Sequence, residues 1–275
     1  MKVGLFVTCL VDLMRPRIGF SALALLEAAG CEVLVPSTQT CCGQPGYNSG
    51  DRTAAIALAR KLVSEFAGCE YVVVPSGSCA GMIRTHYPEL LSAIPEDEQA
   101  TFLAVAARTY ELTDFLVNIC HWQMPEPASQ PEQVNQQQAN QQQANQQQAN
   151  SQKKSYKSVT YHDSCAGLRE LNVKIQPRQL LAQVPNVSLT EMAECEQCCG
   201  FGGTFALKFG EISAHIAERK CENITASGAA AVVLGDLGCM LSIEGRLRRR
   251  GDLNTEVLHI AELVAQALPN PPMQK

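Results

Sequence analysis

Residues 71–79 read Tyr71-Val72-Val73-Val74-Pro75-Ser76-Gly77-Ser78-Cys79, an apolar run broken by Pro75 and Gly77 and closed by a cysteine. Residues 231–239 repeat the plan as Ala231-Val232-Val233-Leu234-Gly235-Asp236-Leu237-Gly238-Cys239. A short apolar run without alternation predicts a strand buried on both faces, as in a parallel sheet. Working outward, the two copies stay in step. Helical patterns precede them at 52–66 and 211–226, and each helix follows a cysteine pair with glycine, Cys41-Cys42-Gly43 or Cys198-Cys199-Gly200. Upstream lie strand candidates at 32–35 and 187–190, and helical patterns at 18–29 and 176–183. The apolar openings at 3–7 and 159–161 run into Cys9 and Cys165. Downstream, residues 110–116 parallel 258–264. Strand and helix alternate through short connections, which predicts α/β architecture. The expected fold is two tandem similar half-domains, mainly parallel sheets flanked by helices, related by pseudo-twofold duplication.

Between the copies the pattern lapses. Residues 123–158 hold Pro125, Pro127 and Pro131 and then QQQAN three times, with too few apolar residues to bury a face. The expected organisation is a domain at 1–122, a disordered Gln-rich linker at 123–158 and a second domain at 159–275. With 275 residues, each half can build its own core. The 46% hydrophobic and 18% charged composition is that of a globular protein. A formal net charge of −5 argues against a nucleic-acid partner. The basic run Arg246, Arg248, Arg249 and Arg250 reads as a solvated helix end or as a docking patch for an acidic partner. The N-terminal apolar run is short and interrupted by Asp12, unlike a secretion signal. No apolar stretch of about 20 residues exists to span a bilayer, so the expected location is cytoplasmic.

Thirteen cysteines in such a chain are an odd count and a poor basis for a closed disulfide framework. Eight of them repeat at near-equal intervals: Cys9, Cys41, Cys42 and Cys79 in the first half, Cys165, Cys198, Cys199 and Cys239 in the second. Each set falls after strands, at the carboxyl edge of a parallel sheet where ligands bind. Soft thiolates select iron–sulfur clusters, zinc or copper(I). Gly43 and Gly200 let backbone N–H groups approach an anionic centre closely. His162, in Tyr161-His162-Asp163-Ser164-Cys165, could ligate, shuttle protons or hydrogen-bond a cluster sulfur, or be a structural residue at a strand end. Cys31, Cys69, Cys120 and Cys221 lack counterparts and read as core. Cys195, in Cys-x-x-Cys-Cys, is a spare-ligand candidate, and its counterpart by spacing is Thr38. No Gly-x-Gly-x-x-Gly, Gly-Lys-Ser/Thr or Gly-x-Ser-x-Gly motif is present to bind a nucleotide or make a nucleophile elbow.

These motifs resemble the CCG or cysteine-rich-domain family of iron–sulfur proteins, which includes the cysteine-rich subunit of heterodisulfide reductase and the iron–sulfur subunit of glycolate oxidase. The stretches that carry the resemblance are 40–45, 74–79, 161–165, 198–203 and 235–239, and it is greatest toward the lactate-utilisation branch. It implies a cluster-bearing electron-transfer component of a soluble oxidoreductase that oxidises L-lactate or a related 2-hydroxy acid to pyruvate. The partners would be the other subunits of that lactate-utilisation complex. The family's fullest motif ends in Cys-x-x-Cys, giving five cysteines per site; here Ser76 and Asp236 replace the first of that pair. Four thiols per half favour two [4Fe–4S] cubes over non-cubane clusters. The alternatives are a thiol/disulfide redox enzyme of the heterodisulfide reductase kind and a zinc-binding interaction protein, the spacing leaving zinc open for the C-terminal half alone, where Cys195 and Cys198 form a close pair.

Overall fold

A computed structural model describes residues 1–125 and 158–272. Except for 123–125 and 158, the expected Gln-rich linker lies outside the described residues. The first half forms a parallel sheet from β1 (Lys2–Leu5), β2 (Glu32–Leu34), β3 (Tyr71–Val74) and β4 (Thr109–Glu111), in the order β2-β1-β3-β4. The second forms β5 (Val159–His162), β6 (Ala231–Leu234) and β7 (Glu256–His259), also parallel, in the order β5-β6-β7. The strand expected at 187–190 is reduced to one parallel bridge, Val159 to Leu189, held by Val159 N–H to the Ser188 carbonyl and Thr190 N–H to the Val159 carbonyl, both 2.8 Å. It occupies the place that β2 takes beside β1. Pro185 and Asn186, the latter at φ +61°, leave too little extended chain before it for a full strand.

Residues of β5 and β6 are buried throughout, which is why their apolar runs do not alternate. Val3 pairs with Tyr71 in the first sheet as Val159 pairs with Ala231 in the second. The pseudo-twofold relation appears in reciprocal contacts. Helix Pro16–Ala28 packs on Ile260–Ala265, and its counterpart Ile175–Leu181 packs on Leu112–Asp114. Helix Cys9–Met14 meets Leu237–Arg249, as Cys165–Leu171 meets Gly77–Gly81. An ion pair of 2.5 Å between Arg15 and Glu244 clamps the first of these contacts.

One hydrophobic core runs through both halves, joining Leu5, Ile18 and Phe115 to Tyr161, Val233 and Ile260. A second core, with Phe66, Tyr87 and Phe102, draws its buried residues from the first half, and Leu171 of the second half packs against it. It sits under residues 82–107, an insertion of short helical turns and the Glu96–Ala107 helix where the second half has a single continuous helix, Leu237–Arg249. Cys31, Cys69 and Cys221 are core residues, as the sequence led us to expect, while Cys120 is half-buried with its Sγ 4.0 Å from that of Cys31. The basic run is a helix end: Arg246 and Arg250 pair with Glu218, and Arg248 donates to the Asp252 and Thr255 carbonyls.

Candidate metal centres

Both sheets deliver cysteines to their carboxyl edges. In the first half Cys9 begins the helix after β1 and Cys79 lies in the helix after β3. The Cys41-Cys42-Gly43 turn closes against them. Gly43 sits at φ +85° with its N–H 3.4 Å from the Cys41 Sγ, and a Cβ there would meet the Ala55 carbonyl at 3.2 Å. Cys42 and Cys79 bring their Sγ atoms within 3.3 Å. The buried Tyr87 hydroxyl donates to the Cys42 carbonyl at 2.9 Å, and the Gln44 amide donates to the Ser78 carbonyl at 3.2 Å. These bonds fix the turn against the Cys79 helix.

The second half repeats the device with different parts. Cys165 begins the helix after β5, and Ser164 caps that helix by accepting from the Gly167 N–H at 3.3 Å. Gly200 again has φ +85° and its N–H is 3.3 Å from the Cys198 Sγ; a Cβ there would lie 2.5 Å from the Ser213 carbonyl. The Ser242 hydroxyl takes the role of Tyr87, donating to the Cys199 carbonyl at 2.8 Å. Cys199 and Cys239 are buried.

In each half one sulfur is poised as the thiolate. Hydrogen bonds from Cys42 and then Cys9 hold Cys41 down to about 3. Hydrogen bonds from Cys165 and then Cys199 hold Cys198 down to about 2. The donors shift in the other direction: Cys9 and Cys165 are pushed well up, first by donating to those thiolates and then by burial. The eight cysteines singled out in the sequence are thus gathered into two sets of four, each with a thiolate-stabilising backbone N–H at its glycine. A soft metal centre needs deprotonated, convergent sulfurs, and this donor set fits one.

His162 lies with Cys199 and Cys239, the three ligand atoms within 4.8 Å of one another. The ring is buried and neither nitrogen makes a well-formed hydrogen bond. Burial, then the Lys220 charge, lowers its pKa to about 3, so the ring is neutral and has a lone pair to offer. Its counterpart in the first half is Phe6, which packs edge-on against Phe66. Cys195 stands apart from the set. Its Sγ is 3.9 Å from the Arg178 guanidinium, which makes a two-pronged ion pair with buried Asp163 at 2.8 and 2.9 Å.

Ser76 and Asp236, where the fullest family motif would place cysteines, face each other across the halves. Asp236 Oδ1 accepts from the Gly238 and Cys239 N–H groups at 3.0 and 3.3 Å, capping its own helix. Its Oδ2 accepts from the Ser78 N–H at 2.8 Å and the Ser76 hydroxyl at 3.1 Å, capping the other half's helix too. One buried carboxylate therefore joins the two cysteine-bearing helices. Lys220 is a residue the sequence did not single out. It is 1% exposed, its ammonium donates to the Glu194 and Cys195 carbonyls at 2.6 and 3.3 Å, and it lies by Cys199 and Cys239.

A family model described as a cysteine-rich domain, CCG, matches residues 3–84 and again 159–244. The chain is 39% identical over 272 residues to lactate utilization protein A 2 of Bacillus cereus (strain Q1), covering 98% of this chain and 99% of that one. It is 40% identical over 266 residues to lactate utilization protein A of Bacillus pumilus (strain SAFR-032), with 96% and 99% covered. Among solved structures it resembles a hypothetical protein from Helicobacter pylori, with a TM-score of 0.60, 10% identity, and coverage of 98% of this chain and 49% of that one. At that identity the likeness is one of fold. Among the described residues no helix is long and apolar enough to cross a membrane.

Proposed function

The chain belongs to the CCG cysteine-rich domain family, and from that premise we propose that it carries two iron–sulfur centres and passes electrons in the oxidation of L-lactate, or a related 2-hydroxy acid, to pyruvate. The observation that carries the reading is the doubled set of four converging cysteines, each with one sulfur poised as thiolate beside a glycine N–H. Cys9, Cys41, Cys42 and Cys79 would hold one centre, and Cys165, Cys198, Cys199 and Cys239 the other. Bound there, a [4Fe–4S] cluster supplies one-electron chemistry. The chain's own residues position the sulfurs, donate N–H groups from Gly43 and Gly200, and exclude water from Cys42, Cys199 and Cys239. The substrate-oxidising step would fall to partner subunits of the lactate-utilisation system, since the relatives' name places them in that process.

The test is iron and acid-labile sulfide per chain after anaerobic purification. About eight of each are expected for two four-iron clusters; little iron would overturn the reading. A second reading, zinc in the C-terminal half, is favoured by the mixed His162, Cys199 and Cys239 triad. Under it, His162→Phe should release about one zinc ion per chain. Under the iron–sulfur reading the same variant keeps its iron.

A further inference from the structure

The two centres differ in what lies beside them. An open cleft of about 290 Å³ in the second half is lined by Phe201, Ser213, Leu241, Arg249 and their neighbours, and by none of its four cysteines. In the first half a cleft of about 510 Å³ has both Cys9 and Cys41 in its wall. That volume lies within the ~300–1,000 Å³ of small-molecule sites. Leu5, Val7 and Leu23 give it apolar walls. At its edge Leu13 and Phe20 are 77% and 62% exposed, large apolar side chains held in water.

We propose that this cleft binds a lipophilic quinone, with the ring against Cys9 and Cys41 and the tail leaving over Leu13 and Phe20. The inference rests on the reading of those cysteines as a redox centre. The occupant's class follows from the wall. Among the described residues the charged groups lining the cleft are Asp12 and the Cys41 thiolate, with no cation beside them, so a carboxylate substrate or a nucleotide phosphate would meet repulsion. A neutral ring with an apolar tail accounts for both the apolar walls and the exposed edge. Gln39, also in the wall, has a side-chain oxygen that is buried and unpartnered, the acceptor a quinol hydroxyl needs. Reduction would take up two electrons, supplied one at a time by the centre that Cys9 and Cys41 would help to hold and that the substrate-oxidising partner would recharge, and two protons from solvent at the open mouth. Two ring carbonyls become two hydroxyls.

Direct binding tests this without turnover. Heptyl-hydroxyquinoline N-oxide is a quinol analogue that does not alkylate thiols, and quenching of its fluorescence reports binding to the anaerobically purified full chain. Saturable binding is expected. Leu13→Ser and Phe20→Ser, both at exposed positions, should each weaken it roughly tenfold. Gln39→Ala should weaken it about tenfold by removing one acceptor. Leu207→Ser, at an exposed apolar site elsewhere, should leave it unchanged. Iron content and unfolding midpoint, measured on every variant, should match the unmodified chain. An iron-replete chain that does not bind the analogue, or binding that ignores Leu13 and Phe20, overturns the proposal and leaves the metal reading standing. Binding by a chain found to carry no iron would uphold the cleft's ligand class and overturn the redox role.

Discussion

The two halves use the same turn to gather four cysteines, yet they surround those cysteines differently. The first set backs onto Phe6, Phe66 and Tyr87 and has two of its sulfurs in the wall of an open cleft. The second is packed against His162 and Lys220, with two of its four cysteines buried outright. Duplication preserved the geometry that presents sulfur, and the surroundings diverged. One half is built to be reached and the other to be tuned.

The largest effect that could break this comparison is loss of metal. Cys42→Ala should empty the first half and leave the second filled, and Cys199→Ala should do the reverse, each halving iron per chain. Equal loss from both halves in either variant would mean that the sets are not separate centres.

Next comes the residue the halves share. Asp236→Ala strands the Ser78, Gly238 and Cys239 N–H groups and the Ser76 hydroxyl at once. A loss of about 4 kcal/mol in urea unfolding of the metal-free chain is expected. Ser76→Ala removes one of those bonds and should cost about 1 kcal/mol. If the two variants cost the same, Asp236 caps one helix and does not bridge two.

How far these features could be read in the sequence depends on distance along the chain. The strands at 71–74 and 231–234 and the glycine turns were legible because a buried parallel strand and a left-handed turn leave local signatures. His162 stood out by its place before Cys165. Asp236 read as a departure from a cysteine motif, because its second role depends on Ser78, a contact 158 residues away. Lys220 looked like any polar residue of the Gly210–Ala226 helix, and only packing reveals that it is buried. The cleft draws its wall from β1, two helices and the 35–41 loop, so no single segment announces it. The strand expected at 187–190 shrank to a bridge because Pro185 and Asn186, the latter at φ +61°, leave too little extended chain before it.

A pair of counterparts sharpens the comparison through pH. Glu111 and His259 end the last strand of each sheet and cap the helix that follows. Glu111 accepts from the Thr113 and Asp114 N–H groups, and His259 Nδ1 accepts from the Ala261 N–H. Each faces across the interface: Glu111 toward Gly235, His259 toward the Pro75 carbonyl, positions that themselves correspond. Burial raises Glu111 to about 7 and lowers His259 to about 4. The raised acid favours folding fully below its unfolded pKa and loses that advantage as pH rises from about 4.5 to 7. The depressed base favours folding above about 6.5 and loses it as pH falls toward 4. Each swing is about 3 kcal/mol, and the two slopes oppose and largely cancel between them. Relative to the unmodified chain, Glu111→Gln should therefore tilt metal-free stability downward toward acid, and His259→Gln downward toward alkali. Tilts of the same sign would show that the two positions do not act as counterparts.

The smallest expected effect tests whether the second half is tuned at all. Lys220 is held by the Glu194 and Cys195 carbonyls beside Cys199 and Cys239, and burial sets its pKa below the usual lysine range against the opposing pull of those thiols. An ammonium there stabilises the more negative, reduced state of an anionic centre. Lys220→Met keeps length and apolar bulk and removes the charge. In a redox titration followed by electron paramagnetic resonance, the potential of the second centre should fall by about 60 mV, a tenfold change in a one-electron equilibrium. The first centre should not move, because the thiols beside Lys220 (Cys195, Cys199 and Cys239) all belong to the second half. Iron content should stay the same, which separates tuning from loss of the site. A shift shared by both centres would place the charge effect in the interface, where Asp236 already joins them, and would make the halves one electrostatic unit.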